Sequence, residues 1–329
     1  MPPRFRFPAR ARKPSRTRTT FAVQVYLPIA ELPVNMFLIL GIGAAVGFIS
    51  GMFGIGGGFL MTPLLIFAGI PPAVVVATEA SQIAASSLTG ALAYWRRKAV
   101  DFKLGSVLLS GGLAGTVLGV MFFNQMRRIG QLETVIVMSY VVLLGGVGGL
   151  MLVESLRALA AARRGTRQRR LAGQHAWYEG LPFKMRFHRS GLYISVLPLL
   201  ALALFIGFAG AVLGIGGGFI LVPALIYIFR VPTAVVVGTS LFQILFTMLA
   251  ATVLHATSNY SVDIVLATLL IAGGVFGAQF GARAGVNLRG EYFRLLLALL
   301  VLAVGMRFAG DLLVKPREAY SATATETFR

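Results

Sequence analysis

Two glycine clusters, one in each half of the chain, offer the most distinctive chemistry. Gly54-Ile55-Gly56-Gly57-Gly58-Phe59 returns as Gly214-Ile215-Gly216-Gly217-Gly218-Phe219, and Pro63 returns as Pro223. Glycine sustains a helix poorly. Each cluster follows one apolar run and precedes a short one ending near Pro71 or Pro232, so each reads as a first span that unwinds into a half-helix. Unwound backbone at membrane depth is tolerated only against protein or a water-filled cavity. A half-helix starting near Gly58 or Gly218 presents free N–H groups and the positive end of its dipole, which makes an anion site without a cationic side chain. Close helix packing by small residues is the competing explanation. Two matched clusters, each before a short apolar segment, favour the site. Its expected backbone members are Gly54, Gly56, Gly57, Gly58, Gly214, Gly216, Gly217 and Gly218. The string is not a dinucleotide fingerprint, because the third glycine of that motif is missing and no strand precedes it.

Polar residues follow each proline turn. Thr78 and Gln82 share a helix face, as do Thr239 and Gln243, with Ser240 beside them. Hydroxyls and amides can donate to an oxyanion without a fixed charge, so these five join the expected substrate site. Interhelical hydrogen bonding explains them equally well. Glu79 is the one acid inside an apolar run, and its counterpart in the second half is Ser240. A carboxylate within a span costs about 2.5–3.5 kcal/mol on insertion scales, so it must be neutral, paired or facing water. The functional reading is a proton carrier that couples anion movement to a proton gradient. Asp101 and Asp263 read as helix N-caps, Arg283 as an interfacial anchor and His255 as a packed polar residue. There is no cysteine, and His175, His188 and His255 lack metal-ligand spacing. No nucleophile–base pair appears within the spans. The chain reads as a non-enzyme with no metal and no cofactor.

The elements that position these residues follow from composition. Hydrophobic residues make up 57% of the chain and charged ones 12%, about half the charge of a soluble domain. The expected fold is an all-α polytopic membrane protein of two homologous repeats, each of about four transmembrane helices with a glycine-broken first span and a short half-helix. The repeat extends well past the glycines. Ala73-Val74-Val75-Val76-Ala77-Thr78 matches Ala234-Val235-Val236-Val237-Gly238-Thr239, and Val100-Asp101 matches Val262-Asp263. Gly111, Gly112, Gly115 and Gly119 match Gly273, Gly274, Gly277 and Gly281, which read as close-packing faces. Four spans fit the first repeat, near 36–54, 73–95, 102–123 and 134–154. The expected organisation is a basic disordered tail and interfacial segment (1–35), repeat one (36–154), a basic cytoplasmic linker (155–190), repeat two (191–313) and a polar tail (314–329).

The net charge of +19 is concentrated in residues 4–18 and 157–189. Neither block is interleaved with stacking aromatics, which argues against nucleic acid. Basic flanks of a hydrophobic chain stay on the cytoplasmic side and touch anionic lipid heads. An even number of crossings then places both termini and the linker inside, with the repeats parallel. Arg127 and Arg128 fall outside in this scheme, against its logic. Five crossings per repeat would invert the repeats.

The doubled G-x-G-G-G-F…P pattern, the A-V-V-V-[AG]-T segment and the G-G-x-x-G-x-x-x-G span resemble the sulfite exporter TauE/SafE family, also described as toluene sulfonate uptake permeases. The resemblance covers about residues 36–312. It implies a multi-pass permease of the bacterial inner membrane for small sulfur-containing anions such as sulfite and sulfonates. Gly54–Gly58, Gly214–Gly218, Thr78 and Thr239 fall on the repeated motif, while Glu79 opposite Ser240 and the long basic linker depart from it. The expected function is a secondary transporter of such anions with proton coupling through Glu79. The alternative is a non-transporting assembly or sensor protein that kept the fold.

Overall fold

The computed structural model describes residues 23–53, 57–163, 182–187, 190, 192–229, 231–285 and 290–313. An antiparallel hairpin, β1 (Gln24–Leu27) and β2 (Leu32–Asn35), leads into α1 (Met36–Phe53), α2 (Gly58–Phe67), α3 (Pro72–Arg96), α4 (Phe102–Ile129) and α5 (Leu132–Arg163). A second hairpin, β3 (Lys184–Phe187) and β4 (Leu192–Ser195), leads into α6 (Val196–Leu213), α7 (Gly218–Tyr227), α8 (Thr233–Ser258), α9 (Ile264–Gly285) and α10 (Gly290–Leu313). Among the described residues, α4, α5, α6, α8 and α9 are long and apolar enough to cross a membrane.

The hairpins were not expected from the sequence. Residues 21–34 read as an interfacial segment, yet Gln24 pairs with Asn35 and Leu27 with Leu32. Pro33 is compatible with this ladder because both strands of a two-stranded sheet are edges. The stretch expected as a linker holds the end of α5 and β3. Each hairpin drives one fully buried residue into the core, Leu27 and Phe187. Each also ends on the cap of the next helix. Asn35 Oδ1 accepts from Phe37 N at 2.9 Å, and Ser195 Oγ from Leu197 N at 3.3 Å.

Helix directions follow from which residues touch. Gly43, Gly47 and Gly51 of α1 abut Gly273, Gly274 and Ala278 in that order, so α1 runs parallel to α9. Gly111, Gly115 and Gly119 of α4 abut Leu200, Leu204 and Phe208, so α4 runs parallel to α6. In contrast, Gly90 meets Leu241 while Gly238 meets Tyr94, so α3 and α8 are antiparallel. Asp263 at the start of α9 bonds Thr78 near the start of α3, and Asp101 at the start of α4 bonds Thr239 near the start of α8. Thus α1, α3 and α9 begin at one face, here the first face, and α4, α6 and α8 begin at the second.

This corrects the parallel-repeat expectation; the basic residues 4–18 lie outside the described residues. The halves are related by an axis in the membrane plane. The sequence reading took each broken span as a full crossing. Instead α1 stops at the centre and α2, ten residues and about 15 Å long, carries the chain back, ending with Phe67 against Phe308. Only α3, α4 and α5 then run from one face to the other, an odd number. The N-terminal hairpin and the end of α10 therefore share the first face, while the end of α5 and the second hairpin lie at the second.

Small residues let the paired helices approach closely. A Cβ on Gly277 would lie 2.0 Å from Ala44 O, and one on Gly115 2.0 Å from Leu204 O. Gly277→Val should therefore destabilise the protein by roughly 1–3 kcal/mol, read as a lower Tm in detergent; an unchanged Tm would mean the α1–α9 contact is looser than this. The chain has no cysteine, so single substitutions report sidedness cleanly. Tyr26→Cys and Arg186→Cys, at matching hairpin positions, should label from opposite sides of the membrane, and labelling from the same side would refute the inverted arrangement.

Candidate functional site

The two glycine breaks meet at the centre of the molecule. Gly54 and Gly56 lie outside the described residues. In the second break Gly214, Gly216 and Gly217 take φ of +73°, +66° and +76°, a left-handed path that side chains disfavour. A Cβ on Gly58 would lie 2.8 Å from Gly214 O, so the first break touches the second directly. Gly58 and Gly216 both abut Ile83, at the midpoint of α3, and Gly216 also faces Ile244, at the midpoint of α8. Phe59 and Phe219, each in the first turn of its half-helix, stack at 4.2 Å and 11°. The N-terminal ends of α2 and α7 thus converge, and neither Gly57 nor Gly217 supplies a side-chain cap. Two positive dipole ends with uncapped first turns face one small region.

That region is asymmetric. Leu213, the last residue of α6, leaves its carbonyl beyond the helical ladder, and Tyr140 on α5 donates to it at 2.7 Å. Thr62 on α2 lies 3.2 Å from the same oxygen and also bonds Glu79 Oε2 on α3. The Thr62 hydroxyl has one proton. When Glu79 is ionised, that proton goes to the carboxylate. Thr62 thus stands between two acceptors, the Glu79 carboxyl and Leu213 O, with one proton to give. Glu79 and Thr62 are both fully buried. Sequence reasoning missed Thr62 and Tyr140. Thr62 had a signal: its counterpart is Val222, so it is polar in one repeat only, as Glu79 is an acid opposite Ser240.

The remaining expected residues divide into two groups. Thr78 Oγ1 accepts from Asp263 N at 2.9 Å and Thr239 Oγ1 from Asp101 N at 3.1 Å, so both threonines join the halves rather than face the breaks. Each aspartate caps its own helix through Oδ1. Through Oδ2 each grips a hairpin tip, Ile29 N for Asp263 and the Ser190 N and Oγ for Asp101. Gln82 and Gln243 fill matching notches, with Nε2 where a Cβ of Gly274 or Gly112 would stand. Among the described residues, four buried side-chain oxygens have no hydrogen-bond partner: Glu79 Oε1, Ser240 Oγ, Gln243 Oε1 and Asn124 Oδ1. The first three lie on α3 and α8, the helices that flank the breaks. Burying such groups unpaired costs roughly 1–3 kcal/mol each. Residues Gly214 to Gly218 are themselves buried, so a solute reaches them only when the helices part.

The family model described as Sulfite exporter TauE/SafE matches residues 39–308. The "Probable membrane transporter protein YunE" of Bacillus subtilis (strain 168) is 25% identical over 284 residues, covering 83% of this chain and 96% of that protein. A "Probable membrane transporter protein" of Xylella fastidiosa (strain 9a5c) is 30% identical over 255 residues, covering 75% and 84%. No solved structure matches the chain. With the family model spanning nearly all the membrane helices, the chain belongs to the sulfite exporter TauE/SafE family of membrane transporters.

Proposed function

We propose that the protein is a secondary transporter of small sulfur-containing or organic anions of the sulfite and sulfonate class, in a bacterial inner membrane, with a proton carried by Glu79. The single observation that carries this reading is the set of unpartnered oxygens on Glu79, Ser240 and Gln243, on the two helices whose midpoints abut the glycine breaks. Native interiors rarely leave such groups unpaired without a reason, and a polar solute between the breaks supplies one. The N–H ends of α2 and α7 meet the negative charge. The Ser240 hydroxyl and the Gln243 amide, turned to present its N–H, complete the hydrogen bonds. The helical hairpins α1–α2 and α6–α7 enter from opposite faces, so moving one apart from the other opens the same site to one side at a time. Thr62 links the steps, because its proton fastens α2 to Leu213 O when Glu79 is protonated and lets go when it is not.

Ser240→Ala removes one donor to a charged solute. It should raise the KM for sulfite or a sulfonate in proteoliposomes by roughly tenfold, about 1.5 kcal/mol; an unchanged KM would take Ser240 out of the site. Glu79→Gln should leave flux down an anion gradient but abolish its acceleration by an imposed pH gradient. Thr62→Val, which copies the second repeat, should weaken that acceleration without removing it. A wild-type response to the pH gradient in Glu79→Gln would exclude Glu79 from coupling.

A further inference from the structure

The fourth unpartnered oxygen, Asn124 Oδ1, lies elsewhere. Asn124, Arg127 and Arg128 at the end of α4, with Ser258 and Asn259 at the end of α8, line a cavity of about 220 Å³. It opens at the first face. Its lining carries two guanidinium groups and no carboxylate. Arg127 is held in place, since its Nη1 donates to Asn259 O and to Ser261 Oγ, both at 2.8 Å. That leaves three more N–H donors of a rigid fork on a fixed plane. Basic residues in a last helical turn ordinarily serve the helix dipole and the lipid surface. That ordinary role explains neither the bonds that pin Arg127 nor the unpartnered Oδ1 of Asn124.

The floor of the cavity leads inward. Ala211 O can only accept, so the His255 Nε2 that lies 3.1 Å from it must carry the hydrogen. His255 Nδ1 is then the acceptor for Asn259 Nδ2 at 2.9 Å. A chain of polar atoms therefore runs from the cavity wall through Asn259 and His255 to α6, three residues before Gly214. Its counterparts in the first half are Tyr94 and Lys98, so the second face does not repeat it.

We propose that this cavity is an oxyanion-binding vestibule, in which Arg127 and Arg128 hold a sulfonate or sulfite group before it passes to, or after it leaves, the central breaks, with the Asn124 amide turned to present its Nδ2–H in place of Oδ1. The class of ligand rests on the anion-transport reading above. The binding itself does not, and it is tested without flux.

The test uses Ser258→Cys in the otherwise cysteine-free chain, labelled with the sulfonatoethyl and trimethylammonioethyl methanethiosulfonates. Relative to a small free thiol, the anionic reagent should be favoured by about tenfold. Millimolar methanesulfonate should slow the labelling at constant ionic strength. Adding Arg127→Gln and Arg128→Gln should return the ratio to that of the free thiol. Arg128→Gln alone, which disturbs no inter-helix bond of Arg127, should bring it part of the way. A free-thiol ratio in Ser258→Cys itself, or a preference untouched by Arg128→Gln, overturns the vestibule even if sulfonate flux is measured. Charge preference and protection by methanesulfonate in a protein that moves no sulfonate support the vestibule and reject the transport reading instead.

Discussion

A carbonyl at the end of a helix in lipid finds no water, and every such group must be met by protein or by cargo. Leu213 O is one of these groups, and the centre of the molecule is arranged around it. Tyr140 reaches it from α5 and Thr62 from α2. Thr62 in turn brings Glu79 to the same spot. Because the carbonyl belongs to the second half and all three side chains to the first, the break in α6 is secured only by its mirror-related partner. The equivalent stretch of α7 and α8 offers Val222 and Ser240 in place of Thr62 and Glu79.

The inverted arrangement makes this geometry possible. Hairpins entering from opposite faces bring two helix starts together without a cation between them. Parallel repeats would have set both breaks side by side with their dipoles aligned. The surrounding glycine stripes serve the same end. With Gly277 and Gly281 against α1, and Gly115 and Gly119 against α6, the broken helices lie directly on the backbones of intact ones. They are supported along their length although they are interrupted at the tip.

Much of this was legible in the sequence. No ordinary helix carries Gly54 to Gly58, so the breaks and the short segments after them could be read directly; α2 and α7 begin at Gly58 and Gly218, where the half-helices were expected to start. Asp101 and Asp263 announced their caps by type and position. Repeat direction was not legible, because hydropathy records that a segment is apolar and not whether it turns back. The hairpins escaped for a different reason. Four-residue strands such as Lys184–Phe187 carry too few alternations to register, and they gain their stability from Phe187 and Leu27 in the core. Thr78 and Thr239 were expected to meet the solute, but one sequence cannot tell a bond across the interface, which both make, from a contact with solute. Thr62 and Tyr140 each needed the fold, since their meaning lies in a carbonyl far along the chain.

The aspartate clasps bear on how the molecule is made. Asp101 starts α4 yet depends on Thr239, which leaves the ribosome 138 residues later, and Thr78 waits 185 residues for Asp263. At ~5–20 residues per second those delays are on the order of ten seconds. Throughout them the early helices stand in the bilayer with unanswered hydroxyls and bare glycine seams. Neither half is a unit that completes itself. Severed between β3 and the end of α5, the chain would yield two pieces that each lack the other's staples, and only their reunion would give a finished protein.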